Sequence, residues 1–270
     1  MYNYYMGKVQ NSIGIFDSGL GGLTILKEVR KVMPRENIIY FGDSAHVPYG
    51  SKSKETVSQF SLDIAKFLES KKVKLILVAC NTASALALDT LQKHISVPIL
   101  GVITPGAKAA IQANNKNIFV IGTRATITSK AYEKEIKKLD KKTSVKQIAC
   151  PLFVPLIEEG LAYDKITKLT IEKYLAEVKK FGSCTLILGC THYPVLKNNI
   201  AKFLPKAVLV DSAKEITKEA KKLLEKENLL NKTGKGKLEL FVSDSPENFS
   251  KQAKTILGFN LKAKEIRFYI

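Results

Sequence analysis

The sequence predicts an α/β protein built on mostly parallel sheets, arranged as two half-chains of similar plan. Three observations carry this. Short apolar runs alternate with amphipathic stretches of helical period, the pattern of βαβ units. Residues with reactive or hydroxyl side chains recur just after the apolar runs. Two cysteine turns, at Cys80 and Cys190, stand 110 residues apart in the 270-residue chain, so each half owns one.

The strands read in order as Ser12–Phe16, Ile38–Phe41, Leu75–Ala79, Ile99–Val102, Ile118–Ile121, Val145–Ala149, Leu186–Leu188, Val208–Val210 and Leu238–Val242. Helical periodicity fills the intervals at Leu23–Val32, Thr56–Ser70, Ala83–His94, Ala131–Leu139 and Ile166–Lys180. In a further helix, Ala213–Leu230, apolar positions 216, 220, 223, 224 and 230 share one face. Parallel α/β sheets bind ligands beyond the carboxyl ends of their strands. The segments to examine are therefore Asp17-Ser18-Gly19, Cys80-Asn81-Thr82-Ala83-Ser84, Gly122-Thr123-Arg124-Ala125-Thr126 and Gly189-Cys190-Thr191-His192-Tyr193-Pro194.

Composition narrows the function classes. At roughly 100–200 residues per domain, the length suits one large domain or two small ones. The apolar fraction of 45% suffices for a core. No apolar run approaches the ~18 residues of a membrane span. The first twelve residues lack the apolar region of a signal peptide. Four cysteines make no disulfide scaffold, and a reduced, cytoplasmic protein is expected. The net charge of +18 invites a nucleic-acid reading, but only four of the 43 basic residues are arginines. The lysines are scattered, and no zinc-finger, RRM, KH or helix-turn-helix signature accompanies them. A solvated lysine-rich surface that helps gather a small anion is the expectation.

Cys150 and Cys184 read as small core hydrophobes. Cys80 and Cys190 differ because each ends a strand and opens a helix, where the helix dipole and free N–H groups are expected to lower the thiol below its usual ~8.5. Two such thiols facing across one cleft could remove a proton from one face of a carbon and deliver one to the other. Three alternatives stay open from the residues alone: a metal site of Cys80, Cys190 and His192, a redox disulfide, and nucleophilic cysteine catalysis with His192 as base. No C-x-x-C spacing supports the first two, and the third leaves one cysteine turn unexplained. The Gly19-Leu20-Gly21-Gly22 loop fails the dinucleotide fingerprint, since position 24 is Thr. It is expected to let the backbone approach a small ligand and start a helix.

The segments IGIFDSGLGGLT (13–24), YFGDSAHVPYGSKS (40–53), VACNTASALAL (78–88), GVITPGAKAA (101–110), VIGTRATITSKAY (120–132), LFVPLIEEG (152–160), LILGCTHYPVL (186–196) and VDSAKEI (210–216) together resemble the glutamate racemases of the cofactor-independent aspartate/glutamate racemase superfamily. The resemblance covers nearly the whole chain from Ile13. It implies interconversion of L- and D-glutamate without pyridoxal phosphate, other cofactor or metal, providing D-glutamate for bacterial peptidoglycan. It makes Cys80 the acid/base group for the D-enantiomer and Cys190 that for the L-enantiomer. Asp17 matches the carboxylate beside the first cysteine, His192 the imidazole beside the second, and Glu158 a further acidic residue there. Substrate contacts map to Asp17, Ser18, Tyr49, Gly50, Asn81, Thr82, Thr123, Thr126, Thr191 and His192.

The bland readings are helix capping for Asp17, structural hydrogen bonding for His192 and a surface role for Glu158. His46 is placed near the entrance, and His94 is read as structural. The resemblance also implies two α/β domains, 1–102 plus 213–270 and 103–212, around an interdomain cleft, with hinges at Gly101–Thr104 and Val210–Ala213. A homodimer is expected, with no membrane or nucleic-acid partner. Three other functions compete: racemisation of another acidic amino acid such as aspartate, an amino-acid-binding regulator that has lost turnover, and a nucleic-acid-associated or topoisomerase-inhibiting role as in some relatives. The regulator is disfavoured by the presence of both cysteines, Asp17 and His192.

Overall fold

A computed structural model describes residues 9–113 and 115–268. The chain forms two parallel sheets. The first contains β1 (Ile13–Asp17), β2 (Ile38–Gly42), β3 (Leu75–Val78), β4 (Ile99–Gly101), β9 (Leu238–Val242) and β10 (Ala263–Glu265), in the order β10-β9-β2-β1-β3-β4. The second contains β5 (Asn117–Gly122), β6 (Ser144–Ala149), β7 (Cys184–Gly189) and β8 (Ala207–Asp211), in the order β6-β5-β7-β8.

Both sheets are covered on both faces, which is why their inner strands read as unbroken apolar runs. In β3, Leu75 and Leu77 face one core while Ile76 and Val78 face the other. The first core lies under α1 (Leu23–Val32), α11 (Ser212–Lys226) and α12 (Pro246–Leu257), the second under α2 (Lys54–Ser70), α3 (Asn81–Leu86) and α4 (Leu88–His94). The four-stranded sheet is sandwiched between α5 (Ile103–Gln112) with α7 (Ala131–Leu139) and α8 (Phe153–Glu158), α9 (Lys165–Lys180) and α10 (Lys197–Phe203). The short α6 (Arg124–Thr128) follows β5 directly. Helix α5, leaving the first sheet, packs on the core of the second, whereas α11, leaving the second, returns to the core of the first.

Register and order place the site. Strand order reverses at β1, so a topological switch point opens between β1 and β3, and another between β5 and β7. Asp17 is level with Gly42, Phe16 with Val78, and Gly122 with Gly189. Ser18 and Cys80 therefore emerge at one switch point, Thr123 and Cys190 at the other.

Two expectations about elements are corrected, and one strand was not expected. The helix expected over Ala83–His94 is two helices, separated at Ala87. The helix expected to reach Leu230 stops at Lys226, because Asn228 turns to a φ of 55° and the N–H groups of Leu229 and Leu230 fold back to the Leu224 carbonyl. Leu230 still packs against the first core from beyond the helix end. The edge strand β10 carries charged residues in a three-residue span and leaves no apolar alternation to read.

Candidate active site

Cys80 caps α3: its Sγ accepts from the Ala83 N–H at 3.5 Å and donates to Ser18 Oγ at 3.8 Å. Cys190 lies just beyond β7, with Sγ 3.9 Å from His192 Nδ1. On the far side of that ring, Nε2 meets Glu158 Oε1 at 3.0 Å. Both thiols line one cavity of about 20 Å³, together with Ser18, Val47, Pro48, Tyr49, Gly50, Asn81, Thr82, Thr123, Val154, Thr191 and His192. That space holds about one water molecule. Two wider clefts adjoin it, one of about 290 Å³ at Gly50, Thr123, Arg124 and Pro155, and one of about 270 Å³ at Leu20, Val47, Glu159 and Phe249.

Side-chain hydrogen bonds sew the two carboxyl edges together. Thr82 Oγ1 stands 2.9 Å from Thr123 Oγ1 and 3.3 Å from Thr126 Oγ1. Tyr132 donates its hydroxyl to Asn81 Oδ1 at 2.7 Å, and Thr191 donates to Asp17 Oδ1 at 3.3 Å. Thr126 is wholly buried behind Thr123, so it orients that hydroxyl and does not reach the cavity. Asp17 also stands behind the cavity wall, accepting from the Gly19 N–H at 3.0 Å through its other oxygen. Glu158 lines both wider clefts and meets the small cavity through His192. Tyr49 lines the wall while its hydroxyl turns away to Asp43 Oδ2 at 2.5 Å.

Burial and charge act strongly on Cys80, His192 and Asp17. Burial, followed by the Asp17 charge, pushes Cys80 up to about 12, overriding the Ala83 N–H that favours the thiolate. The lowering expected from the helix N-terminus is thereby corrected at Cys80: one N–H does not repay the loss of water. Burial alone would lower His192. Its hydrogen bonds to Cys190 and Glu158, with the charges of Cys190 and Asp17, outweigh that and raise it to about 10. Asp17 is itself raised by burial, against the pull of His192, the Gly22 and Gly19 N–H groups and Thr191.

The glycine loop starts α1, with Gly22 at its N-cap, and also allows close packing. A Cβ on Gly21 would stand 2.3 Å from Thr191 Oγ1 and 2.7 Å from His192 Nδ1, and one on Gly22 would stand 2.4 Å from Asp17 Cβ. Gly21 admits the second cysteine turn against the first sheet, and Gly22 lets the loop lie directly on Asp17 and Tyr40. A Cβ on Gly50 would likewise come within 2.6 Å of Thr123.

Cys150 and Cys184 are buried, and burial raises both thiols. His46 does not line the cavity. It bonds Asp43 at 2.8 Å and stacks on Phe60, bracing the loop that carries Val47 to Gly50. His94 closes α4 with Nδ1 2.8 Å from the Thr90 carbonyl. Among the described residues no group of three His, Cys, Asp or Glu is placed to hold a metal ion. Val47, Pro48 and Val154 escaped sequence reasoning because apolar wall residues carry no chemical signal, although each sits inside a motif quoted above. No helix among the described residues is long and apolar enough to cross a membrane.

The chain matches the Asp/Glu/Hydantoin racemase family over residues 23–220. It is 49% identical over 253 residues to a glutamate racemase of Geobacter metallireducens, covering 93% of this chain and 94% of that one. The crystal structure of glutamate racemase from Francisella tularensis in complex with D-glutamate superposes with a TM-score of 0.90 at 39% identity, covering 96% of this chain and 98% of that chain. The Thermus thermophilus glutamate racemase in complex with beta-chloro-D-alanine gives a TM-score of 0.87 at 42% identity, over 96% of this chain and 98% of that one.

Proposed function

The chain belongs to the Asp/Glu/Hydantoin racemase family, among its glutamate racemases, and from that premise we propose that it interconverts L- and D-glutamate with two cysteines, one on each face of the α-carbon. It is an enzyme, an amino-acid racemase. One observation carries the mechanism: Cys80 and Cys190, from different sheets, line a single cavity, and each has its own proton-handling neighbour.

The neighbours of each thiol assign a direction to each half-reaction. Cys80, held near 12, rests as the protonated acid. On the L-enantiomer, Cys190 removes the α-proton and Cys80 delivers one to the opposite face. His192, bonded to Cys190, holds the proton or returns it, and Glu158 steadies the imidazolium. From the D-enantiomer Cys80 must first lose its proton, and the buried Asp17 carboxylate is the nearby base whose raised affinity for protons suits that task. Negative charge then develops on the substrate carboxylate. Hydroxyls of Ser18, Thr82 and Thr123 and the Asn81 amide surround the place where it forms. Every step uses the chain's own side chains and calls on no cofactor.

The 20 Å³ cavity is too small for glutamate, so the reading includes opening and closing of two domains, 1–102 plus 213–270 and 103–212, about Gly101–Thr104 and Val210–Ala213. The opposite packing of α5 and α11 supports that division. Closure expels water and strengthens the electrostatics inside. We further assign the product D-glutamate to peptidoglycan synthesis in the cytoplasm, the protein to a homodimer, and the +18 surface to gathering the anionic substrate rather than to nucleic acid.

The test is incubation of the purified chain with L-glutamate in heavy water, without added cofactor or metal. Optical rotation should decay to zero as deuterium enters the α-position. Absence of both would overturn the reading. Faster turnover of aspartate under the same conditions would move the substrate assignment to that amino acid.

A further inference from the structure

Asn81 is buried and lines the cavity between the thiols, yet its Nδ2 has no hydrogen-bond partner. A buried amide donor without a partner is costly unless something fills it. Its Oδ1 is engaged by the Tyr132 hydroxyl at 2.7 Å. Tyr132 belongs to α7 on the second sheet, whereas Asn81 opens α3 on the first, so this bond crosses between the two halves.

The Tyr132 ring is closely packed. It is fully buried, and a Cβ on either Gly106 or Gly189 would stand 3.2 Å from it. Burial, with the nearby Cys190 and Asp211 charges, holds the hydroxyl above its ordinary range, so it remains a donor. An asparagine amide presents an acceptor at one end and two donors at the other, and its terminal torsion is broad. Only a fixed partner decides which end faces the ligand.

We infer that Tyr132 is a positioning residue for the reaction: by holding Asn81 Oδ1 from the opposite half, it aims the unpartnered Nδ2 at a carboxylate oxygen of the bound amino acid. The bond spans the two halves, which links their approach to assembly of the carboxylate site. The inference rests on the racemase reading above, since that reading supplies the ligand.

The test is a double-mutant cycle. Tyr132→Phe keeps the ring and removes the hydroxyl. It should lower kcat/KM for L-glutamate about tenfold, mostly through KM, while the melting temperature moves by only a few degrees. In the Asn81→Ala background the same substitution should change kcat/KM less than twofold. An equal loss in both backgrounds, or none in the wild-type background, would overturn the inference. A second arm does not depend on turnover. The Asn81 side-chain ¹⁵N–¹H signals of the unliganded protein should shift and broaden in Tyr132→Phe, and unchanged signals would overturn the inference. If the wild type fails to racemise glutamate, the functional reading falls, while the spectra still decide whether Tyr132 holds Asn81.

Discussion

Thr191 gives its hydroxyl to the Asp17 carboxylate across 3.3 Å, joining the turn that carries Cys190 to the end of the strand beside Cys80. Asp17 therefore belongs to both cysteine turns, not to the first alone. Its charge reaches Cys80 and His192 alike. Thr191→Val removes the donor and keeps the shape. Racemisation should fall about tenfold, the worth of one hydrogen bond to a charged group, with little change in thermal stability. Steady-state kinetics beside a melting curve checks both halves of that statement.

Glu158 should tune the alkaline limb of the pH profile. His192 is raised to about 10 partly by its bond to Glu158, so Glu158→Gln lets it lose its proton at lower pH. The upper limb of kcat should move toward acid by about one pH unit, the usual scale of one charged neighbour. A limb that stays in place would remove Glu158 from the proton path.

Stability should follow the same histidine. Its folded-state value lies above its ordinary 6.5, so the native state holds a proton that the unfolded state releases. The contribution is complete below 6.5 and is lost as pH rises toward about 10. Urea titrations across that interval should show the unfolding free energy of the wild type declining more steeply with pH than that of His192→Gln.

Away from the site, Lys74 Nζ pairs with Glu36 Oε2 at 2.5 Å in a fully buried setting, and also reaches the Val9 and Leu229 carbonyls at 2.7 and 2.8 Å. Lys74→Met leaves the Glu36 charge buried without its cation, held only by the Asn231 N–H on Oε1 at 2.7 Å. That should cost about 3–5 kcal/mol, and adding Glu36→Leu should recover most of the loss. Chemical denaturation of the single and double variants reads this directly.

Gly21→Ala tests the close approach of the two turns. Its Cβ would meet Thr191 and His192 at 2.3 and 2.7 Å, so the second turn must move. Activity should drop by more than tenfold, because a displacement near 1 Å at a catalytic group has that consequence. The stability cost should be about 1–3 kcal/mol, in the range of an overpacked core.

The strands and the two cysteine turns were legible because each doubly covered strand is an apolar run, and each run stops at a turn of polar or thiol side chains. Cys80 and Cys190 announce themselves by that position. The joins between the halves were not legible. Tyr132 and Asn81 stand 51 residues apart, and Thr191 and Asp17 stand 174 apart. No local pattern pairs them, since only the register of two separate sheets brings their strand ends together. The thiol of Cys80 shows the limit of a local argument: the helix terminus favours the thiolate, but burial and Asp17 decide. Leu230 teaches the same lesson from packing, because its apolar face is kept after the helix has ended.

The central claim is that two thiols serve opposite faces of one carbon, and hydrogen tracing tests it most directly. L-glutamate should be converted in heavy water and both enantiomers analysed at low conversion. Thiol protons exchange with solvent, so the D-glutamate formed should carry deuterium while the remaining L-glutamate keeps its original hydrogen. D-glutamate that retains the substrate hydrogen, or L-glutamate that exchanges as fast as it racemises, would contradict the account.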